Sequence, residues 1–151
     1  MTLSLRETDP FAPEALALIA GSEAELAAIY PPEARFAFSP QELVEAGVRF
    51  LVAWRGGAAV GCGGVAPCAG YGELKRMYAA PAARGTGVAP ALLAGLEEIA
   101  RGLGLPLMRL ETGTDSHAAI GLYTRSGYRP CPAFGTYTDN GSSVFMEKSL
   151  R

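Results

Sequence analysis

The 151-residue chain has no excess of either charge: 13 basic residues stand against 15 acidic ones, a formal net charge of −2. Nucleic-acid binders carry a basic face or run. Here eleven of the basic residues are arginines scattered along the chain, which argues against nucleic acid as a partner. Cysteine is scarce as well. Cys62, Cys68 and Cys131 are an odd number without a CxxC pair, and His117 is the single histidine. Neither a disulfide framework nor a zinc site is built that way, so the thiols read as reduced and no metal is expected. No apolar stretch reaches the ~20 residues that span a bilayer. Met1 to Glu7 alternate leucine with polar residues, unlike the basic start and apolar core of a secretory leader. The expectation is a cytoplasmic protein without a membrane partner. Repeats, low-complexity tracts and linker-like stretches are missing too, so residues 1–151 read as one domain.

What is present is a core and a run of alternating elements. Hydrophobic residues make up 49% of the chain, enough for one buried core. Leu3 to Arg6 reads as a strand. Pro10 to Ile29 has a helical apolar pattern, with a break or kink expected near Gly21 and Ser22. Tyr30-Pro31-Pro32-Glu33 ends it, because the residue before a proline disfavours helix. Ser39-Pro40-Gln41-Glu42 has the form of a capped helix start. Val48 to Trp54, Ala58 to Val65 and Tyr71 to Ala79 read as strands, the first two joined by Arg55-Gly56-Gly57. Val88 to Gly102 is an amphipathic helix with Leu92, Leu93, Leu96 and Ile99 on its apolar stripe. Then follow a strand at Leu105 to Glu111, a helix at Ser116 to Ser126, a strand starting at Gly127 to Cys131, and a last strand at Ser143 to Ser149. That order predicts a mixed α/β fold with a largely antiparallel sheet, not a doubly wound nucleotide fold.

The most informative segment joins the third strand to the long helix: Arg84-Gly85-Thr86-Gly87-Val88-Ala89. Two glycines allow a sharp turn that brings backbone N–H groups close to a ligand. The helix that follows offers unpaired donors and the positive end of its dipole, an anion site suited to a pyrophosphate. A P-loop needs Gly-Lys-Ser/Thr, and Val88 follows Gly87 instead. A dinucleotide fingerprint would put a third glycine where Pro90 stands, inside a βαβ unit that the preceding antiparallel strands do not form.

Arg84-Gly85-Thr86-Gly87-Val88-Ala89 resembles the Arg/Gln-x-x-Gly-x-Gly/Ala acyl-CoA signature of the GNAT N-acetyltransferase superfamily, with Arg84, Gly87 and Ala89 in register. Ala118-Ala119-Ile120-Gly121-Leu122-Tyr123-Thr124-Arg125-Ser126-Gly127-Tyr128 is similar to that family's downstream helix block. Glu111-Thr112-Gly113, Phe134-Gly135-Thr136-Tyr137, Ser143 to Lys148 and Tyr30-Pro31-Pro32-Glu33 resemble a bacterial subgroup of it. The resemblance covers Leu3 to Leu150 and is strongest from Glu73 to Tyr128.

The resemblance implies a GNAT fold, acetyl-CoA as acyl donor, and an amine acceptor attacked directly while both are bound. It leaves a homodimer open. It assigns the acyl-CoA site to Met77, Tyr78 and Ala79 on a splayed strand edge, to Arg84, Gly85, Thr86, Gly87, Val88 and Ala89 in the turn, and to Tyr123. Many members have asparagine where Ser116 stands, so Ser116 carries a weaker cofactor role or simply caps its helix. Tyr123 matches the tyrosine that protonates or hydrogen-bonds the departing thiolate. Glu73 matches a strand carboxylate that accepts the amine proton; its other reading is a partly buried glutamate paired with Lys75 or Arg76. Regular alternation puts Glu73, Lys75 and Met77 on one face, with Glu73 roughly 13 Å along the strand from Met77, so a water relay is expected. Tyr30, Glu33, Phe134, Tyr137 and Asp139 are expected to line the acceptor pocket. His117 and the cysteines are not expected to be catalytic. Two rivals are an acyl-CoA sensor of the same fold and a nucleotide binder using the glycine turn.

Overall fold

The computed structural model describes residues 2–151. Met1, part of the stretch read above as no leader, lies outside the described residues. Strands β1 (Leu3–Glu7), β2 (Arg49–Arg55), β3 (Ala58–Cys68), β4 (Tyr71–Ala79), β5 (Leu107–Gly113), β6 (Arg129–Pro130) and β7 (Ser143–Ser149) form one sheet in the order β1-β2-β3-β4-β5-β7-β6. All neighbours are antiparallel except β4 and β5. Helices α1 (Pro13–Ile29) and α2 (Pro40–Glu45) cover one face; α3 (Val88–Gly102) and α4 (His117–Arg125) cover the other. The mixed, mostly antiparallel α/β fold expected above is the fold observed.

Each face has its own core. Under α3, the leucines 92, 93 and 96 meet Leu51, Val65, Leu74, Met108 and Leu110, and each leucine so buried contributes ~1.5–3 kcal/mol. Under α1, Leu18 and Ile19 meet Phe50, Val52 and Cys62. In β2 the alternation is clean: Phe50 and Val52 face α1, Leu51 and Ala53 face α3. Ser39 and Glu42 cap α2 reciprocally, as their spacing predicted.

Two expectations are corrected. First, α1 runs unbroken through Gly21 and Ser22. A Cβ at Gly21 would stand 2.7 Å from the Tyr78 hydroxyl, and the Ser22 hydroxyl accepts from Arg76 Nη1 at 3.4 Å. The pair marks close packing on β4, not a kink. Second, β4 is not a regular strand. Cys62 opposes Tyr78 while Gly64 opposes Lys75, so Gly63 alone faces both Arg76 and Met77. This is a β-bulge, and Arg76 takes its left-handed conformation at φ 58. The extra residue reverses the alternation beyond it. Met77 therefore turns to the α3 side, where a Cβ on Gly63 would lie 2.4 Å from its sulfur. Glu73, Lys75, Arg76 and Tyr78 turn toward α1 and the loops beside it. Glu73, Lys75 and Met77 do not share a face.

Candidate functional site

Around the bulge the sheet is divided, the split beginning at Leu74. β4 and β5 pair only at Gly72 with Met108 and Glu73 with Arg109. From Leu74 to Ala79 the β4 edge has no strand beside it, a gap roughly 20 Å long at ~3.3 Å per residue. Ala80 N donates to Val60 O, so by alternation the N–H and C=O groups of Ala79 point into the gap. The Ala79 carbonyl accepts from Arg84 Nε at 3.0 Å, in keeping with that direction. The gap opens into a cleft of about 820 Å³ that passes through the sheet.

At one end of the cleft lies the glycine turn. Gly85 and Gly87 have φ of 77° and 93°, a region where a Cβ is unfavourable, and Gly87 is the N-cap of α3. Among the described residues, the N–H groups of Gly85, Thr86, Gly87, Val88 and Ala89 have no hydrogen-bond acceptor. Five free donors at a helix start form a cradle for an anion. The Arg84 guanidinium beside them is paired with Glu25 of α1 and stacks near the Tyr78 ring.

Tyr123 stands on the α3 and α4 side, buried to 6% exposure yet lining the cleft, with no hydrogen-bond partner among the described residues. Burial pushes its phenol up from the ordinary value, so it holds its proton. Its ring packs edge-on against Tyr128 at 5.8 Å. Tyr128 donates to Glu97 at 2.9 Å, and Lys148 closes the network from the other carboxylate oxygen.

The α1 side of the cleft is charged. Glu73 Oε2 accepts from Tyr137 at 2.6 Å and forms an ion pair with Lys75 Nζ at 2.9 Å. Lys75 also donates to the Tyr137 hydroxyl at 2.8 Å and lies over the Phe38 ring. Burial, then the Glu73 carboxylate, push the Tyr137 phenol upward. Facing them from β5 is Glu111, which accepts from Ser143 at 2.7 Å. Its pKa is raised chiefly by burial, with Ser143 opposing.

The cleft brings together Tyr30, Glu73, Met77, Tyr78, Ala79, Arg84, Gly85, Gly87, Val88, Ala89, Ser116, Tyr123 and Tyr137. It does not bring in four others. The Thr86 side chain faces away and meets Arg55. Phe134 is buried among Tyr71, Tyr137 and Phe145. Asp139 turns back on Gly141 in an exposed loop, and Glu33 sits in an exposed turn. Ser116 is the N-cap of α4 without a side-chain cap bond. Its hydroxyl instead meets the Tyr30 hydroxyl at 3.0 Å, which also accepts from Asp115 N. The cleft also includes Arg35, Lys75, Arg76 and Glu111, which sequence reasoning did not place in it as site residues. Glu111 had a readable signal: with Met108 and Leu110 in the core, alternation sends Arg109 and Glu111 to the opposite face. Cys62 is sealed in the α1 core, where burial pushes its thiol up to about 12.

Comparisons with known proteins meet this geometry. The model of the acetyltransferase (GNAT) family matches residues 15–128. The IAA acetyltransferase of Azospirillum brasilense is 37% identical over 150 residues, 98% of each chain. A solved structure from Klebsiella pneumoniae, assigned to the acyl-CoA N-acyltransferases, is 38% identical with a TM-score of 0.85 over 99% of both chains. The PaiA N-acetyltransferase of Thermoplasma acidophilum, solved with coenzyme A, is 22% identical with a TM-score of 0.77 and shares the fold.

Proposed function

This chain belongs to the GNAT family of acetyltransferases and is an acyl-CoA-dependent N-acetyltransferase; from that premise we propose that it acetylates a small amine, with donor and acceptor bound on opposite sides of the divided sheet. The observation that carries the reading is the unpaired β4 edge from Leu74 to Ala79, with the glycine cradle at one end, Tyr123 on one side and two carboxylates on the other. The residues fit acetyl-CoA. The free N–H groups from Gly85 to Ala89 suit its pyrophosphate, and the open edge suits a pantetheine amide that adds to the sheet like a strand. When bound, acetyl-CoA supplies a thioester already activated toward an amine.

The chain's own contribution is then orientation and proton management. The Ala79 N–H is the edge donor available to polarise the acyl carbonyl. Tyr123 keeps its proton at neutral pH because burial disfavours the phenolate, which suits a hydroxyl that donates to the departing sulfur. The amine proton leaves toward the carboxylate side. Glu73 was the expected acceptor, and its Oε2 is held by Tyr137 and Lys75. Among the described residues Glu111 has Ser143 as its one hydrogen-bond partner, and burial raises its pKa. We assign the proton to this pair, with Glu111 preferred because Glu73 is already engaged by Tyr137 and Lys75. A cytoplasmic location fits a free-thiol chain with no helix long and apolar enough to cross a membrane among the described residues.

The test is thiol release from acetyl-CoA against a panel of primary amines, alongside equilibrium binding of CoA, ATP and NAD. CoA should bind in preference to ATP and NAD, and thiol release should depend on the amine. CoA binding without amine-dependent release from any panel member would make the chain an acyl-CoA sensor instead.

A further inference from the structure

On the α1 side of the cleft two guanidinium groups share one carboxylate, so one of them has no carboxylate of its own. Arg35, on the lip after the Tyr30-Pro31-Pro32-Glu33 turn, donates from Nη1 to Glu23 at 3.3 Å. The other oxygen of Glu23 takes Arg76 Nη2 at 2.7 Å. One carboxylate, itself 48% exposed, thus serves two guanidinium groups whose side chains are only 20% and 4% exposed. Lys75 offers no counter-charge, being neutralised by Glu73 at 2.9 Å. Arg76 is otherwise satisfied by Phe38 O and Ser22.

Arg35 is not satisfied. Its Nε is buried and has no hydrogen-bond acceptor among the described residues, and neither has Nη2. A buried donor left unpaired is costly, and more so on a charged group. Nε and Nη2 form one edge of the guanidinium, the edge that takes a carboxylate through two parallel bonds. With Nη1 fixed by Glu23 and Nε sealed from solvent, a ligand carboxylate reaches Nη2 directly and Nε by a turn of the guanidinium. Arg35 lines the same wall as Phe36, whose carbonyl lies 3.5 Å from Lys75 Nζ, and hence the same chamber as Glu73 and Tyr137. Leu26, Ile29 and Phe36 give that wall an apolar surface between the charges.

We propose that the acceptor is a small amino acid: its amine faces Glu73 and Glu111, and its carboxylate is held by the free Nε and Nη2 edge of Arg35. This rests on the acetyltransfer reading above and narrows its substrate class. Among the described residues on the α1 side of the cleft, Arg35 is the guanidinium without a carboxylate of its own and Glu111 the carboxylate without a paired cation, at separate points of a single chamber, so a zwitterion meets one charge of each sign.

The experiment takes the intact enzyme with acetyl-CoA and the common α-amino acids, then compares the best of them with its carboxamide and its decarboxylated amine. The free acid should have a kcat/KM at least about tenfold above either analogue. Arg35→Gln should collapse that ratio toward unity by raising the KM for the acid, and Arg35→Lys, which keeps the charge but not the fork, should restore part of it. An unchanged CoA affinity in both variants reports that the fold is intact. Equal use of acid, amide and amine by the wild type overturns the inference, as does a preference for the acid that survives in Arg35→Gln. Acetylation confined to amines without a carboxylate overturns it too while leaving the acetyltransferase reading standing. No amine-dependent thiol release from any compound removes that reading and this one together.

Discussion

On the α3 and α4 side of the divided sheet, the cleft is walled by apolar residues, free backbone donors and a buried tyrosine whose hydroxyl has no hydrogen-bond partner among the described residues. On the α1 side it is walled by Arg35, Glu73, Lys75, Arg76 and Glu111, with the Tyr137 hydroxyl among them. The two sides are a few residues apart in sequence, since Leu74 and Met77 serve one while Glu73, Lys75 and Arg76 serve the other. On the reading proposed above, the contrast follows from what each side has to hold. Backbone donors recognise a ligand shared by a whole family, because any sequence supplies N–H groups. An acceptor peculiar to one enzyme has to be recognised by side chains, and a charged, solvent-shielded wall discriminates strongly because a wrong partner leaves its groups unpaired.

The sharpest break of this contrast is Tyr123→Phe. The ring stays in the α3 core, and no hydrogen bond to another described residue is lost. We expect kcat to fall roughly 10- to 1000-fold, the range for one general acid, with CoA affinity and melting temperature unaltered. A wild-type kcat under conditions where chemistry limits the rate would leave Tyr123 as packing alone.

Next in size is Gly87→Asp, which places a Cβ at φ 93° and a carboxylate beside the five free donors. Calorimetry should show CoA affinity lower by at least about tenfold, or ~1.4 kcal/mol, while the KM of the acceptor changes little. An equal loss on both sides would show that the two halves of the cleft are not separable.

The carboxylate side is sharpened by comparing Glu73→Gln with Glu111→Gln in pH–rate profiles. A base works ionised, and burial raises Glu111. The wild-type kcat/KM should therefore fall on acidification, with a midpoint above the ordinary value for a glutamate. Glu111→Gln should abolish that limb and Glu73→Gln should preserve it. The reverse outcome would return the base to Glu73 and its Tyr137 and Lys75 partners.

The smallest effect concerns stability. A carboxyl whose folded pKa is raised favours the folded state below its unfolded pKa, and this advantage is lost as pH rises through the folded value. At neutral pH, ionised Glu111 is then a cost, so Glu111→Gln should raise the melting temperature by about 1–3 °C. The gain should shrink toward pH 4.5. A lower melting temperature at neutral pH would mean that the Ser143 hydrogen bond outweighs the burial.

Much of this protein is determined by its sequence alone. The glycine turn, the capping box at Ser39 and the stripe of Leu92, Leu93 and Leu96 are local signals, each complete within a few residues. They gave the element order, the long helix and the anion cradle because conformational preference and periodicity act over short spans. Only the tertiary structure decided which face each β4 residue serves. A one-residue bulge opposite Gly63 sends Met77 one way and Arg76 the other, and alternation read from the sequence cannot register an insertion that depends on a neighbouring strand. The same holds for Arg35 and Glu111. Their surroundings are set by partners 12 and 32 residues away, Glu23 and Ser143, because electrostatic environment is a property of what folding brings within a few ångströms.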